Sequence, residues 1–411
     1  MNPTSHFSLL TLLALALSTL FNISQARAQS GIELENVSAS VDFGKQITFF
    51  ATIKSSTSIQ MVSIMISEEP QGLTLLEPVT VQADGSTEFH FDTQQNLLRP
   101  FTNVKWNYQF TFPDGNTAQS ESFFIRYEDD RFEWQTLESD ALRVNWYERD
   151  ASFGQAALDA AQAGLESIDR VMPADLSQPV EFFIYANTED LRATLTRSGE
   201  NWAAGHADPA LGVVMIAIEP GAEQGIAMEQ RIPHELMHVM LYRRVGAGYH
   251  NIPAWLREGL ATLIEVYPNP DYERVLADAV AADRLIPLQE LCGSFPADAK
   301  SAFLAYAEAR SFTGYLQETY GLAGLLNLAA SYAGGLDCER GTERVFGMPL
   351  SNLEDTWLSS ALGQNALLPA IQNISTYLVL LCLVLIIPLI GMGISLRKKG
   401  NPNGPETYVR K

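Results

Sequence analysis

A chain of 411 residues has room for two domains, and 48 Asp and Glu against 27 Lys and Arg leave a formal net charge of −21. That acidity, with no basic patch outside the C-terminal tail, argues against nucleic-acid binding. It otherwise fits a solvated exoplasmic surface and says little about chemistry.

Residues 1–28 read as a signal peptide. An apolar run covers Leu9 to Phe21, and Ala26-Arg27-Ala28 puts small residues at the cleavage positions, although Met1 to His6 hold no Lys or Arg. Residues 31–128 then alternate with the period of strands. Ile47, Phe49, Ala51 and Ile53 share one face, and Val62, Ile64 and Ile66 repeat the pattern. Val104, Trp106, Tyr108 and Phe110 run into the turn signal Pro113-Asp114-Gly115, after which Phe123 and Ile125 return. Short strands, regular turns and no good helix predict an immunoglobulin-like β-sandwich. No catalytic cluster falls in it, so its expected role is spacing or contact with a protein partner.

From residue 135 the period changes, opening a second domain over 135–365. Leu142, Val144 and Trp146 predict a strand, 152–171 a helix, Val180 to Tyr185 a strand and Thr188 to Thr196 a short helix. His206 and Asp208 read as a solvated loop, with cleft lining as the alternative. Gly212 to Ile218 is the last strand before His234-Glu235-Leu236-Met237-His238. On a helix, His-Glu-x-x-His puts two imidazoles one turn apart on one face, about 5–6 Å apart at Cβ, close enough to share a metal ion. Pro233 lacks a backbone donor, so this helix should start near Ile232 or kink there.

Glu258 follows His238 within Trp255-Leu256-Arg257-Glu258-Gly259-Leu260-Ala261, which reads as a second helix. It can complete a two-His, one-Glu zinc site that leaves a fourth position for water. A water held there can fall to a pKa of about 7. Glu235, rotated around the helix from His234, should then act as general base rather than ligand. A surface helix with a chance match is the bland alternative. The apolar flanks Ile232-Pro233 and Val239-Met240-Leu241 count against it, because two histidines and a glutamate are costly there without a partner.

These paired motifs resemble the gluzincin branch of zinc metallopeptidases, the peptidase-MA-like group, and are similar to those of membrane alanyl aminopeptidases. The resemblance implies His234, His238 and Glu258 as zinc ligands, Glu235 as acid/base, and a peptide or protein as substrate. It also assigns the substrate-aligning edge strand to Val213–Ile218, with Val213 and Met215 as substrate-binding residues. Thermolysin-like enzymes place an Asp four residues after the ligand Glu. Here that position is Thr262, so the support of the ligands must differ. In related peptidases a downstream Tyr or His stabilises the oxyanion; Tyr306 is the candidate, with an ordinary core tyrosine as the alternative.

Beyond Glu258 the pattern predicts helices near 270–283, 301–320, 322–333 and 351–362, the last opened by the capping-box pattern Ser351-Asn352-Leu353-Glu354. The expected fold is therefore α+β: a β-sandwich, then a zincin-like peptidase domain with a mostly helical C-terminal part. Of three cysteines, Cys292 and Cys338 are candidates for a disulfide in an oxidising space. Cys382 falls in the uncharged run Thr376 to Leu396, long enough to cross about 30 Å of hydrocarbon. Arg397-Lys398-Lys399 follows at once. The expectation is one transmembrane helix over 376–396, a cytoplasmic tail over 397–411 and an extracytoplasmic bulk. The rival to a membrane-anchored zinc metallopeptidase is a non-enzymatic cell-surface binding protein with a structural metal site. Such a site is normally closed by four protein ligands, and no fourth Cys or His is well placed.

Overall fold

The computed structural model describes residues 31–70, 72–195 and 205–363. The expected signal peptide (1–28), transmembrane helix (376–396) and tail (397–411) lie outside the described residues. No helix among the described residues is long and apolar enough to cross a membrane. The chain divides into two compact units between Phe132 and Glu133.

The described residues of the first unit form eight strands: β1 (Ile32–Asp42), β2 (Gln46–Ser55), β3 (Met61–Glu69), β4 (Thr74–Val79), β5 (Ser86–Asp92), β6 (Asn103–Thr111), β7 (Thr117–Gln119) and β8 (Phe123–Arg126). They form two antiparallel sheets, ordered β1-β2-β5 and β4-β3-β6-β7, with β8 also on β6. The apolar face predicted for β2, β3 and β6 is buried, and Thr48, Ser63 and Asn107 on the opposite face are buried too. Ile47, Phe49, Ile64, Ile66, Trp106 and Tyr108 all face one shared core, where Phe49 and Trp106 meet at 5.1 Å. Every second side chain is thereby removed from water, which is why these segments hold as strands.

The second unit is α+β. Its sheet contains β9 (Gln135–Ser139), β10 (Leu142–Trp146), β11 (Val180–Tyr185), β12 (Gly205–Asp208) and β13 (Val213–Ala217), in the order β12-β13-β11-β10-β9. The three inner strands are parallel and both outer strands antiparallel. Val213 and Met215 therefore do not form an edge. Their strand is paired with β11 on one side and β12 on the other, and its five residues are all buried. Among the described residues the edge is β12, which contains His206 and Asp208, expected in a loop. Its lack of apolar alternation is what an outer strand tolerates.

Eight helices complete the described part of this unit: α1 (Ala151–Asp169), α2 (Thr188–Leu195), α3 (Gln224–Val245), α4 (Ala254–Leu263), α5 (Asp271–Ala281), α6 (Ala299–Ala333), α7 (Cys338–Phe346) and α8 (Leu350–Ser360). Asp150, Asp298 and Asp337 cap α1, α6 and α7 by accepting backbone N–H groups of the first turn. Helix α6 breaks at Gly321, whose φ of 73° leaves the helical region. This is the boundary expected between 301–320 and 322–333. Ser351 caps nothing: Pro349 precedes α8, and Glu354 instead accepts Leu288 N at 3.0 Å.

Helix α3 starts at Gln224, well before Pro233, which sits inside it. Two features accommodate the proline. A Cβ added to Gly164 of α1 would lie 2.9 Å from the Pro233 Cβ, so the ring fills a gap that only glycine leaves. Proline also cannot donate to the carbonyl four residues back, that of Glu229. That carbonyl accepts Val266 N at 3.0 Å instead.

Candidate active site

Helix α3 presents His234 and His238 on its inner face, and α4 brings Glu258 against both. The Glu258 Oε2 atom is 3.3 Å from His234 Nε2 and 3.5 Å from His238 Nε2. Ligating atoms of the three residues lie within 4.8 Å of one another, a group able to hold a metal ion. Helix α4 can approach because Gly259 has no side chain: a Cβ there would stand 2.0 Å from Thr313 Oγ1 and 2.7 Å from Ala309 O on α6. Trp255, at the start of α4, is fully buried against Phe312 and Tyr332, and its indole N–H faces Cys338 Sγ at 3.5 Å. Cys338 is joined to Cys292 in a disulfide, so the helix that carries Glu258 rests on covalently tied elements.

Each imidazole is held from behind. His234 Nδ1 is 3.2 Å from Glu265 Oε1, and His238 Nδ1 is 3.0 Å from the Tyr249 hydroxyl. A proton on each Nδ1 leaves the Nε2 lone pairs pointed at Glu258, the tautomer a metal needs. Neither backing residue was read from the sequence. Thr262, at the position where a carboxylate was sought, bonds only to the Glu258 and Gly259 carbonyls. Glu265 takes its place, carried in by the next residue's bond from Val266 N to the carbonyl Pro233 leaves free. The available signal was a lone glutamate in the apolar run Leu263 to Val266.

The electrostatics favour a cation. Burial opposes charge on His234, yet bonds to Glu258 and Glu265 raise its pKa well above the ordinary imidazole value. Burial likewise opposes ionisation of Glu258, but the charge of His238 and bonds from both imidazoles hold it far below the usual carboxylate range. Burial keeps the Tyr249 phenol neutral by raising its pKa. Three carboxylates converge on two imidazoles here, so a dication between Nε2 and Oε2 atoms fits the donor set.

Glu235 stands outside the ligand trio. A Cβ added to Gly205 would lie 2.6 Å from Glu235 Oε1, so the edge strand β12 passes directly against this carboxylate. Tyr306 is brought to the site as well, its ring 6.0 Å from that of His234 and 5.0 Å from Phe295. His206 and Asp208 alternate to the other face of β12 from Gly205, and Asp208 accepts Leu211 N at the turn into β13.

Residues 160–363 match the family model described as the Peptidase MA superfamily. No curated protein matches the chain. Among solved structures it is similar to an aminopeptidase N family protein from Idiomarina loihiensis, at 11% identity and a TM-score of 0.35, covering 84% of this chain and 75% of that one. It is also similar to a carbohydrate-binding module family 56 β-1,3-glucan binding domain, at 16% identity and a TM-score of 0.17, covering 23% of this chain and 99% of that one. The family model spans both ligand helices, and residues 160–363 form a Peptidase MA superfamily domain.

Proposed function

We propose that this chain is a membrane-anchored, extracytoplasmic zinc metallopeptidase that hydrolyses peptide bonds with Glu235 as general base. One observation carries the reading: His234, His238 and Glu258 converge through metal-binding atoms, while Glu235, one residue from a ligand, faces the edge strand instead. When bound, zinc would polarise the scissile carbonyl and acidify a water. An extended peptide would pair with β12, the outermost strand among the described residues, and would so bring its carbonyl to the ligand trio. Glu235 would take the water's proton on its carboxylate and pass it to the leaving amine. Tyr306, against His234, would donate its hydroxyl proton in a hydrogen bond to the developing oxyanion.

The disulfide supports an oxidising compartment, and the uncharged run Thr376 to Leu396 supports the anchor. The sandwich unit would serve for spacing or for contact with a protein partner.

The test uses the full chain with a quenched-peptide library and a zinc assay. Glu235→Gln should keep one zinc per chain and lose about 10²–10⁴-fold in turnover, the usual worth of a positioned base. Undiminished cleavage in that variant would remove Glu235 from the mechanism.

A further inference from the structure

Arg231 lies one turn before Glu235 on α3, so the two side chains leave the same face of the helix. Its Nη1 donates to the Ala217 carbonyl at 2.6 Å, at the end of β13. Ala217 directly follows Ile216, which pairs with Gly205, and Gly205 is where Glu235 excludes a side chain. Arg231, Ala217, Gly205 and Glu235 thus form one continuous wall beside the ligand trio.

Among the described residues no carboxylate is bonded to the guanidinium on this wall. The Arg231 side chain is half-buried, and among the described residues it forms no ion pair and has a backbone carbonyl as its only hydrogen-bond partner. Burial lowers its pKa, and the charges of Glu219 and Glu235 act in the opposite sense. Glu219 is exposed and accepts the Thr188 hydroxyl at 3.1 Å. A desolvated guanidinium without a carboxylate is costly, and its planar fork matches one through two parallel bonds.

We propose that Arg231 forms a subsite for a substrate carboxylate within about one or two extended residues of the scissile bond. The carboxylate is the peptide's C-terminus or the side chain of an adjacent Asp or Glu. This deepens the peptidase reading and rests on it.

Three short Ala/Leu peptides test the subsite in the zinc-loaded full chain. One is neutral and amidated, one has a free C-terminus, and one is amidated with a central Glu. Wild type should cleave at least one carboxylate peptide with a kcat/KM about tenfold or more above the neutral peptide. Arg231→Gln should bring that ratio close to one. Arg231→Lys should give an intermediate ratio, because a point charge remains and the fork is lost. A preference confined to the free C-terminus identifies the α-carboxylate, and one confined to the Glu peptide identifies a side chain. A wild type without preference, or an Arg231→Gln ratio equal to the wild-type ratio, overturns the proposal. Calorimetric binding of the same peptides to Glu235→Gln reads the preference without turnover. Selective binding without cleavage by wild type would sink the peptidase reading and leave the subsite standing; unselective binding overturns the subsite.

Discussion

Glu265 and Tyr249 give the two histidines unequal support. A carboxylate backs His234 and makes its imidazole a stronger donor to a cation, whereas a neutral phenol orients His238. Glu265→Gln keeps the shape and one acceptor oxygen but removes the charge. It should weaken zinc binding by about 10–100-fold, read by competition with a chelator whose colour reports free metal. An unchanged affinity would mean that Glu265 only fills space. The grouping of His234, His238 and Glu258 was legible in the sequence because helical periodicity puts the two histidines on one face and the Trp255 to Ala261 motif offers a carboxylate on a second helix. Glu265 and Tyr249 were not, since their roles depend on where a loop and a 3-10 turn arrive, and no local period encodes that.

Pro233 is the element whose local cost becomes a positional device. Read as a helix breaker, it predicts a start near Ile232 or a kink there. The helix instead runs through it, because Gly164 makes room for the ring and Val266 N takes the carbonyl left without a donor. That bond fixes the chain one residue beyond Glu265. In Pro233→Ala the restored N–H competes for the Glu229 carbonyl, with a net hydrogen-bond worth of about 0.5–1.5 kcal/mol at stake. Amide exchange at Val266 should rise roughly three- to tenfold, and zinc affinity should fall in parallel. Protection of Val266 equal to wild type would show that the proline does not hold this contact. The strand order is the other correction: the edge assigned to Val213–Ile218 is an inner strand. Val213 to Ala217 is apolar on both faces, the mark of an inner strand. β12 is only four residues long, with a glycine and two polar side chains, so neither periodicity nor propensity separates it from a loop.

At the scale of the molecule, each unit closes its own core, and the alternation that predicted the sandwich works because strand burial is a local, two-residue pattern. The helical unit depends on longer ties. Its segment between α5 and α6 is held by the Cys292–Cys338 disulfide and by two inward carboxylates, Glu308 accepting Ile286 N and Glu354 accepting Leu288 N. Glu308 is fully buried, and burial, opposed by the Ile286 bond and aided by Glu354, pushes its pKa up to about 8. The unfolded chain ionises this group near 4.5. Below that pH the carboxyl is protonated in both states. Between about 4.5 and 8 the folded state keeps a proton that the unfolded state releases, so stability falls as pH rises through this window and levels off above it. Glu308→Gln retains an acceptor for Ile286 N and cannot ionise. Its melting temperature relative to wild type should therefore climb from pH 5 to pH 9, by on the order of 5–10 °C. Parallel melting curves across that range would show that the carboxyl is ionised in the fold throughout. Glu308 would then be a charged clamp on the segment that carries Phe295 to Tyr306, rather than a neutral one.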